Sequence, residues 1–438
     1  MGYRERADSR DETKTHIMTR LLAVGDIHLG RLPASLPDDL AERRQELGPE
    51  TAWHRAVSEA LALEVDAVLL AGDVVERSRD FFVAYGQLRQ GIERLAAAGI
   101  PVFAVAGNHD THVLPRLAEE IEDLTLLGAG GQWEQSELGE IDLLGWSFPQ
   151  THVRNNPLDS LRDEPAGQRQ RALIGLLHCD RDQTDSHYAP VSTADLLRAD
   201  ADAWLLGHIH QPDALEGTRP IGYLGSISAL RASETGPRGP WLIRVEGREV
   251  HAEQRVIAPL RYEVIEIDVN GADSAEKLGG RVLSACRQRI KAIAEHHPLP
   301  DALGLRLRFH GQSARAAELP AEIARLGEEA RSWQESGVRC FIDKIDVELL
   351  PTLDLAALAR RNDPCGLLAQ RLLALGKPDE GPGRQLIEQA RPLFDSISTS
   401  REFKHLERRF SDQDIARQLI EAARLSLVEL LAQRGDST

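Results

Sequence analysis

The first half of this chain predicts an α/β fold built on two sheets, a β-sandwich flanked by helices. Three observations carry that expectation. Up to about residue 120, short apolar runs of strand length alternate with stretches of helical spacing. From there to about residue 258 strands dominate, enough to close a second sheet. Five of the apolar runs stop in Asp, Asn or His. These are poor strand formers, placed where a strand gives way to the loop at a sheet rim, and ligands of open α/β sheets gather there.

Taken in order, Arg20 to Val24 reads as the first strand, Thr51 to Leu63 as a helix, Asp66 to Ala71 as the next strand and Phe81 to Ala98 as an amphipathic helix. Gly99-Ile100-Pro101 ends that helix and leads into a buried strand, Pro101 to Ala106. Strands follow at Leu124–Leu127, Ile141–Trp146, Leu173–Leu177 and Trp204–Leu206, with a helix at Thr193–Arg198. Ile221–Leu224, Trp241–Val245 and Glu249–Ile257 complete the second sheet, so residues 19–258 are expected to form one domain.

A compact α+β domain is expected at 259–350. It alternates strand (Tyr262–Val269), helix (Ser274–Ala294), strand (Gly304–His310), helix (Glu318–Trp333) and strand (Cys340–Leu349). Residues 351–438 read as helical. There Ser411 and Asp414 form a capping pair ahead of an apolar stripe of Ile415, Leu419, Ala422, Leu427 and Leu430. Arg401, Lys404, Arg408 and Arg409 make a locally basic stretch, expected as a solvated face, with partner or DNA contact as the alternative. Residues 1–18 are polar and charged, without the apolar core of a secretory leader, and are expected to be a disordered extension.

At 438 residues, 42% hydrophobic and 28% charged, the chain has the composition of a globular protein of two or three domains. It has no apolar run long enough to span a bilayer. Its cysteines, Cys179, Cys286, Cys340 and Cys365, are scattered, which fits a reducing cytoplasm. Cys179 beside His178 reads as a buried small side chain rather than a ligand. A net charge of −17 excludes a uniformly basic surface for nucleic acid. It leaves room for a local arginine patch at a metal cluster.

The rim residues are Asp26-Ile27-His28, Gly72-Asp73, Gly107-Asn108-His109-Asp110, His178 and Gly207-His208-Ile209-His210. As chemistry, Asp26, His28, Asp73, Asn108, His178, His208 and His210 among them offer two carboxylates, a neutral amide oxygen and four imidazoles, with no thiolate. That donor mixture suits Mn²⁺, Fe or Zn²⁺ better than Ca²⁺ or Mg²⁺. Asp73 is placed to bridge two ions, and a pair of ions clamps an in-line phosphoryl displacement.

In kind and in order these five segments resemble the signature motifs of the calcineurin-like metallophosphoesterases. Carried over by motif, the resemblance implies one metal site of Asp26, His28, Asp73 and His210 and another of Asp73, Asn108, His178 and His208. It implies two divalent ions, Mn²⁺ first, with Fe, Zn²⁺ or Mg²⁺ as alternatives. His109 matches the family's catalytic histidine, and Glu76 the acidic residue that orients it in phosphatase relatives. Within the family the chain is similar to the DNA-repair exonuclease branch of SbcD and YhaO-type proteins. Tyr223-Leu224-Gly225-Ser226 with Glu234 carries part of that likeness.

The resemblance implies a 3′–5′ exonuclease and single-strand endonuclease acting on DNA, a homodimer, and an SbcC-like coiled-coil ATPase partner docking on the helical region. It makes 259–350 a DNA-facing cap. Gly72-Asp73-Val74-Val75-Glu76-Arg77 also resembles the protein-phosphatase motif. A phosphoprotein phosphatase or nucleotide phosphodiesterase is therefore the alternative, and a scaffold for an ATPase the third reading. Further candidates are His54 and Arg55 on the first helix, read as solvent-facing polar side chains before DNA contacts, and His152, His187 and Tyr188 in loops near the motifs, where they would line the substrate groove. His296-His297 reads as a solvated helix end.

Overall fold

The computed structural model describes residues 18–34, 36–161, 169–272, 274–329, 332–378, 381–399 and 410–434. Of the extension expected at 1–18, residues 1–17 lie outside them, as does the basic stretch Arg401, Lys404, Arg408 and Arg409. The chain forms two compact units. One takes the described residues of Met1–Val264, Arg289–Arg306 and Arg331–Asp343. The other takes those of Ile265–Gln288, Leu307–Ala330 and Lys344–Thr438.

In chain order the strands that build the site are β1 (Thr19–Val24), β2 (Ala67–Leu70), β3 (Val102–Ala104), β4 (Leu124–Leu126), β5 (Trp133–Leu138), β6 (Ile141–Trp146), β7 (Ala172–His178), β8 (Ala203–Gly207), β9 (Ile221–Tyr223), β10 (Trp241–Glu246) and β11 (Glu249–Gln254). They form two sheets, a six-stranded one ordered β11-β10-β1-β2-β3-β4 and a five-stranded one ordered β5-β6-β7-β8-β9. Of the three strands expected to complete the second sheet only β9 does so; β10 and β11 instead pair antiparallel along the β1 edge of the first, a long-range choice that local periodicity does not encode. β1 to β4 run parallel, as do β6 to β9, with antiparallel strands added at the edges.

β2, β7 and β8 are buried along their whole length. A strand covered on both faces must be apolar at every position, which is why these segments read as unbroken apolar runs. Between the sheets lie Leu21, Leu69, Val105, Leu143, Ile174 and Leu205. The far side of the first sheet is covered by the helices Pro49–Ala62 and Phe81–Ala96, with Trp53, Leu88 and Ile92 fully buried. Trp146, Leu196 and Trp204 form the core on the far side of the second.

Several elements were not expected from sequence, the four-residue helix Asp38–Ala41 among them. β5 is an edge strand with scarcely a buried side chain, so WEQSEL carries no apolar run. Leu114–Glu120 is a two-turn helix just after the Asn108 loop.

Beyond this, β12 (Leu260–Asp268), β13 (Ala302–Ser313), β14 (Ser332–Glu335) and β15 (Val338–Pro351) form a four-stranded sheet ordered β12-β13-β15-β14. The helix expected at Glu318–Trp333 ends at Glu329, and Trp333 belongs to β14, paired antiparallel with β15. In the second unit, the helices Pro364–Leu375, Gly381–Thr399 and Asp412–Arg434 pack around Cys365, Leu372, Ile387, Ile415, Leu427 and Leu431. Ser411 and Asp414 cap the last helix reciprocally, each side chain accepting from the other's backbone N–H at 3.1 Å. Of the predicted stripe, Ile415 and Leu427 are buried, but Ala422 faces solvent and Ala423 packs inward instead. Positions 415, 419, 423 and 427 repeat at four-residue intervals and share one face, from which 422 is rotated by about 100°. No described helix is long and apolar enough to cross a membrane.

Candidate metal centre

All five rim segments converge. Asp26 and His28 follow β1, Asp73 follows β2, Asn108 and His109 follow β3, His178 ends β7, and His208 and His210 follow β8. The loops bend sharply to present them. Asp26, His28, Asp73 and His208 have φ of 30°, 55°, 47° and 103°, in the left-handed region. Such conformations cost on the order of 1–3 kcal/mol each and persist only where the surroundings enforce them. Two glycines supply the room. A Cβ on Gly107 would sit 2.2 Å from Asp73 Oδ1, and one on Gly207 would sit 2.0 Å from the Ala71 carbonyl oxygen.

The candidate ligands divide into two groups. Asp26, His28 and His210 present donor atoms within 4.8 Å of one another, and so do Asp73, His178 and His208. In the first, His28 Nε2 and His210 Nε2 stand 3.1 Å apart. In the second, Asn108 Oδ1 lies 3.1 Å from His178 Nε2 and 3.0 Å from His208 Nδ1, and those two nitrogens are 3.2 Å apart. Asp73 Oδ2 stands between the groups, 3.8 Å from His28 Nε2 and 3.5 Å from His178 Nε2.

The outer nitrogens decide what these contacts mean. His28 Nδ1 is 2.8 Å from Glu76 Oε2, and His210 Nδ1 is 2.8 Å from Glu234 Oε1. His208 Nε2 is 3.2 Å from Asp180, and His178 Nδ1 is 3.1 Å from the Ala71 carbonyl oxygen. Each outer nitrogen therefore faces an acceptor and carries the proton. Each inner nitrogen of a neutral ring is then a bare lone pair. Lone pairs aimed at one another and at carboxylates repel unless a cation lies among them. A backing carboxylate or carbonyl is the usual partner of a metal-ligating histidine. The residues present fit divalent ions, with an oxygen- and nitrogen-donor set that binds hard and borderline metals.

The electrostatics agree. Burial holds His178 down at about 4 and lowers His28, so both imidazoles are neutral at physiological pH. Burial, then the neighbouring Asp73, raises Asp26 well above the ordinary carboxylate range. Two buried carboxylates this close need positive charge to be ionised together. Asp110 is buried beneath them and is pushed up to about 8 by burial and Asp73. Against this its carboxylate accepts from the backbone N–H groups of Gly107 (2.7 Å), Val74 (2.7 Å) and Val75 (3.3 Å). It thereby staples the Asp73 and Asn108 loops together.

His109 is exposed at the mouth. Its backbone N–H donates to Asp73 Oδ1 at 2.9 Å, and its Nδ1 lies 3.1 Å from the Glu76 carbonyl oxygen. This refines the expectation for Glu76. What orients His109 is the Glu76 main chain, while the carboxylate goes to His28 and, at 3.4 Å, to Arg31. Burial opposes ionisation of Glu76, but His28 and then Arg31 hold it down at about 2.

Asp180 and the buried Arg238 were not noticed from sequence, and Asp110 and Glu234 stood in quoted motifs without a role of their own. Arg238 straps the loop, donating to the His210 carbonyl, to Ser226 Oγ at 3.1 Å and to the Glu234 carbonyl at 3.2 Å. Tyr188 and His152 do flank the centre: Tyr188 packs 5.0 Å from the His208 ring and 5.7 Å from His152. His187 lies 6.0 Å from His152. Arg55 is tied to Asp301 at 2.7 Å and to the Ile257 carbonyl at 3.1 Å, a structural bond, and His54 is 4.0 Å from Glu50. Cys179 is buried, and burial pushes its thiol up. His296 is exposed at a helix end, and no metal-type group forms there among the described residues.

The cleft above the centre encloses about 770 Å³. Its sandwich, rim loops and donor set define a metallophosphoesterase. Residues 19–212 match the calcineurin-like phosphoesterase family, and residues 262–350 match the middle domain of the metallophosphoesterase YhaO. The chain is 31% identical over 370 residues to the DNA double-strand break repair protein Mre11 of Haloferax volcanii, covering 82% of this chain and 75% of that protein. It is 28% identical over 255 residues to the metallophosphoesterase YhaO of Bacillus subtilis, covering 56% of this chain and 60% of that protein. It is 28% identical over 302 residues to Mre11 of Aeropyrum pernix, with 64% and 70% covered. The chain belongs to the calcineurin-like metallophosphoesterases, in the branch that holds the Mre11 and YhaO proteins, a family of metal-binding hydrolases.

Proposed function

We propose that this protein is a metal-dependent DNA nuclease of double-strand break repair, a 3′–5′ exonuclease with endonuclease activity on single strands. The observation that carries the reading is the convergence of inward lone pairs and two buried carboxylates below an open cleft. The likeness to relatives named as DNA double-strand break repair proteins supports the choice of substrate.

Asp26, His28, Asp73 and His210 would hold one ion and Asp73, Asn108, His178 and His208 the other, manganese being the metal proposed. Two such ions supply an activated water and neutralise charge on the phosphate oxygens. The chain's own residues do the rest. Glu76, Glu234 and Asp180 fix the rings of His28, His210 and His208, so the donor atoms are set before substrate arrives. His109 Nδ1–H donates a hydrogen bond to the Glu76 carbonyl oxygen, which turns Nε2 outward. As an imidazolium, His109 protonates the leaving sugar oxygen from Nε2 as the P–O bond breaks.

In the same reading, 259–350 is a DNA-facing cap and the helices of 351–438 dock an SbcC-like coiled-coil ATPase. Exposed Leu367, Leu393 and Leu425 on those helices support a partner surface. The protein acts as a homodimer in the cytoplasm. Purified full chain with manganese should shorten end-labelled linear DNA from its 3′ ends and cut single-stranded circles, and chelator should abolish both. No cleavage of either DNA, with or without the ATPase, removes the proposal.

A further inference from the structure

Each glutamate that backs a histidine sits in a tight loop that also sends arginine into the cleft. After Glu76 come Arg77 and Arg79, both lining the cleft, with side chains 57% and 74% exposed. Each makes one long ion pair, Arg77 at 3.8 Å to Glu76 and Arg79 at 4.0 Å to Asp80, and exposed pairs of this length hold a guanidinium only weakly. Ahead of Glu234 comes Arg231, also lining the cleft. Among the described residues it has no carboxylate at ion-pair distance.

The Arg231 turn is rigidly held. Glu234 N–H donates to the Arg231 carbonyl at 3.0 Å, and Glu234 Oε2 accepts from Leu230 N–H at 2.8 Å while Oε1 holds His210. The other loop is held by close packing: a Cβ on Gly30 would lie 2.7 Å from Asp80 Cβ. Because His28 and His210 converge through their Nε2 atoms, their Nδ1 partners Glu76 and Glu234 diverge. The two arginine-bearing loops therefore flank the centre. In a chain of net charge −17 this pairing is not a by-product of a basic surface.

We propose that Arg231 on one side and Arg77 with Arg79 on the other form a two-sided subsite that grips the phosphodiesters neighbouring the one being cut. The cleft then takes a polynucleotide strand in preference to an isolated phosphate ester. The arginines are positioning residues: guanidinium groups pair bidentately with phosphate oxygens and carry no base preference. The inference rests on the nuclease reading and specifies how that site selects its substrate.

The test compares a short fluorescent single-stranded oligonucleotide with bis(p-nitrophenyl) phosphate, which has one phosphate and no neighbours, both in manganese buffer. Arg231→Ala and the double change Arg77→Ala/Arg79→Ala should each raise KM for the oligonucleotide by about tenfold, the worth of one charge-assisted hydrogen bond to phosphate. KM for the small diester should rise far less. The salt slope of oligonucleotide binding should fall by about 0.7 for each arginine–phosphate pairing removed. Arg231→Lys should restore the slope, which a variant that had merely misfolded would not allow. Equal effects on both substrates, or an unchanged slope, overturn the subsite. Wild-type protein that hydrolyses the small diester but leaves the oligonucleotide intact overturns the nuclease reading instead, and the binding slope still decides the subsite.

Discussion

The two halves of the centre are built differently. Around Asp26, His28 and His210, both histidines are backed by glutamates at 2.8 Å, so the outer layer is anionic. Around Asn108, His178 and His208, one histidine is backed by a neutral carbonyl and the other by Asp180 at 3.2 Å, and the third donor is an uncharged amide. Asp73 reaches toward both. The first half gathers positive charge by its own field. The second has one charged backing group and depends more on the carboxylate it shares.

The sharpest way to break this comparison is to remove what the halves share. Asp73→Asn should abolish metal-dependent hydrolysis, with a loss beyond about 10⁴-fold, the upper end of what one acid–base group contributes. Calorimetric titration with manganese should show both binding steps weakened; loss of one step alone would refute a bridging role. Next in size, His109→Asn should lower kcat by about 10²–10⁴-fold. Manganese binding should be preserved, because His109 is exposed at the mouth and its Nδ1 is engaged by the Glu76 carbonyl oxygen.

The contrast between the halves is tested by the backing carboxylates. Glu76→Gln and Glu234→Gln should each weaken manganese binding by about 10- to 100-fold. Asp180→Asn should weaken it less, given its longer distance to the ring it backs. Equal effects of all three would erase the asymmetry.

The smallest effect is on stability. The folded state holds His178 near 4, below the ordinary histidine value of about 6.5. The unfolded chain therefore binds the proton that the folded chain refuses, so stability is full above about pH 6.5 and falls as pH drops toward 4. In urea titrations of chelator-treated protein, going from pH 7 to pH 5 should cost wild type about 2 kcal/mol more than His178→Gln. An identical pH dependence in both would count against a neutral, buried His178.

Legibility in the sequence follows the same division. The inner ligands stand out because each ends an apolar run, and a buried strand that stops in Asp, Asn or His leaves a local signature. The parallel strands of both sheets were readable for that reason, but which sheet β10 and β11 join was not. The outer layer was not. Asp180, Glu234 and Asp110 are ordinary loop carboxylates until distant segments fold against them. Asp110 bonds Val74 from 36 residues away, and Glu234 meets His210 across 24. Glu76 was found through its neighbourhood to Asp73, but which of its groups faces which histidine is settled by the fold alone. β5 was missed because an exposed edge strand has little periodicity to read. Trp333 was placed in a helix because the aromatic suits either element once the preceding pattern is helical.

The bent backbone at Asp26, His28, Asp73 and His208 has a consequence for how these loops change over time. Aspartate, asparagine and histidine are the side chains that best tolerate left-handed backbone apart from glycine, and they are also good metal donors. Shape and chemistry at these positions draw on one short alphabet. Substitution libraries there should separate cleanly: glycine and asparagine recovered when the screen asks for soluble protein, the native letter when it asks for turnover.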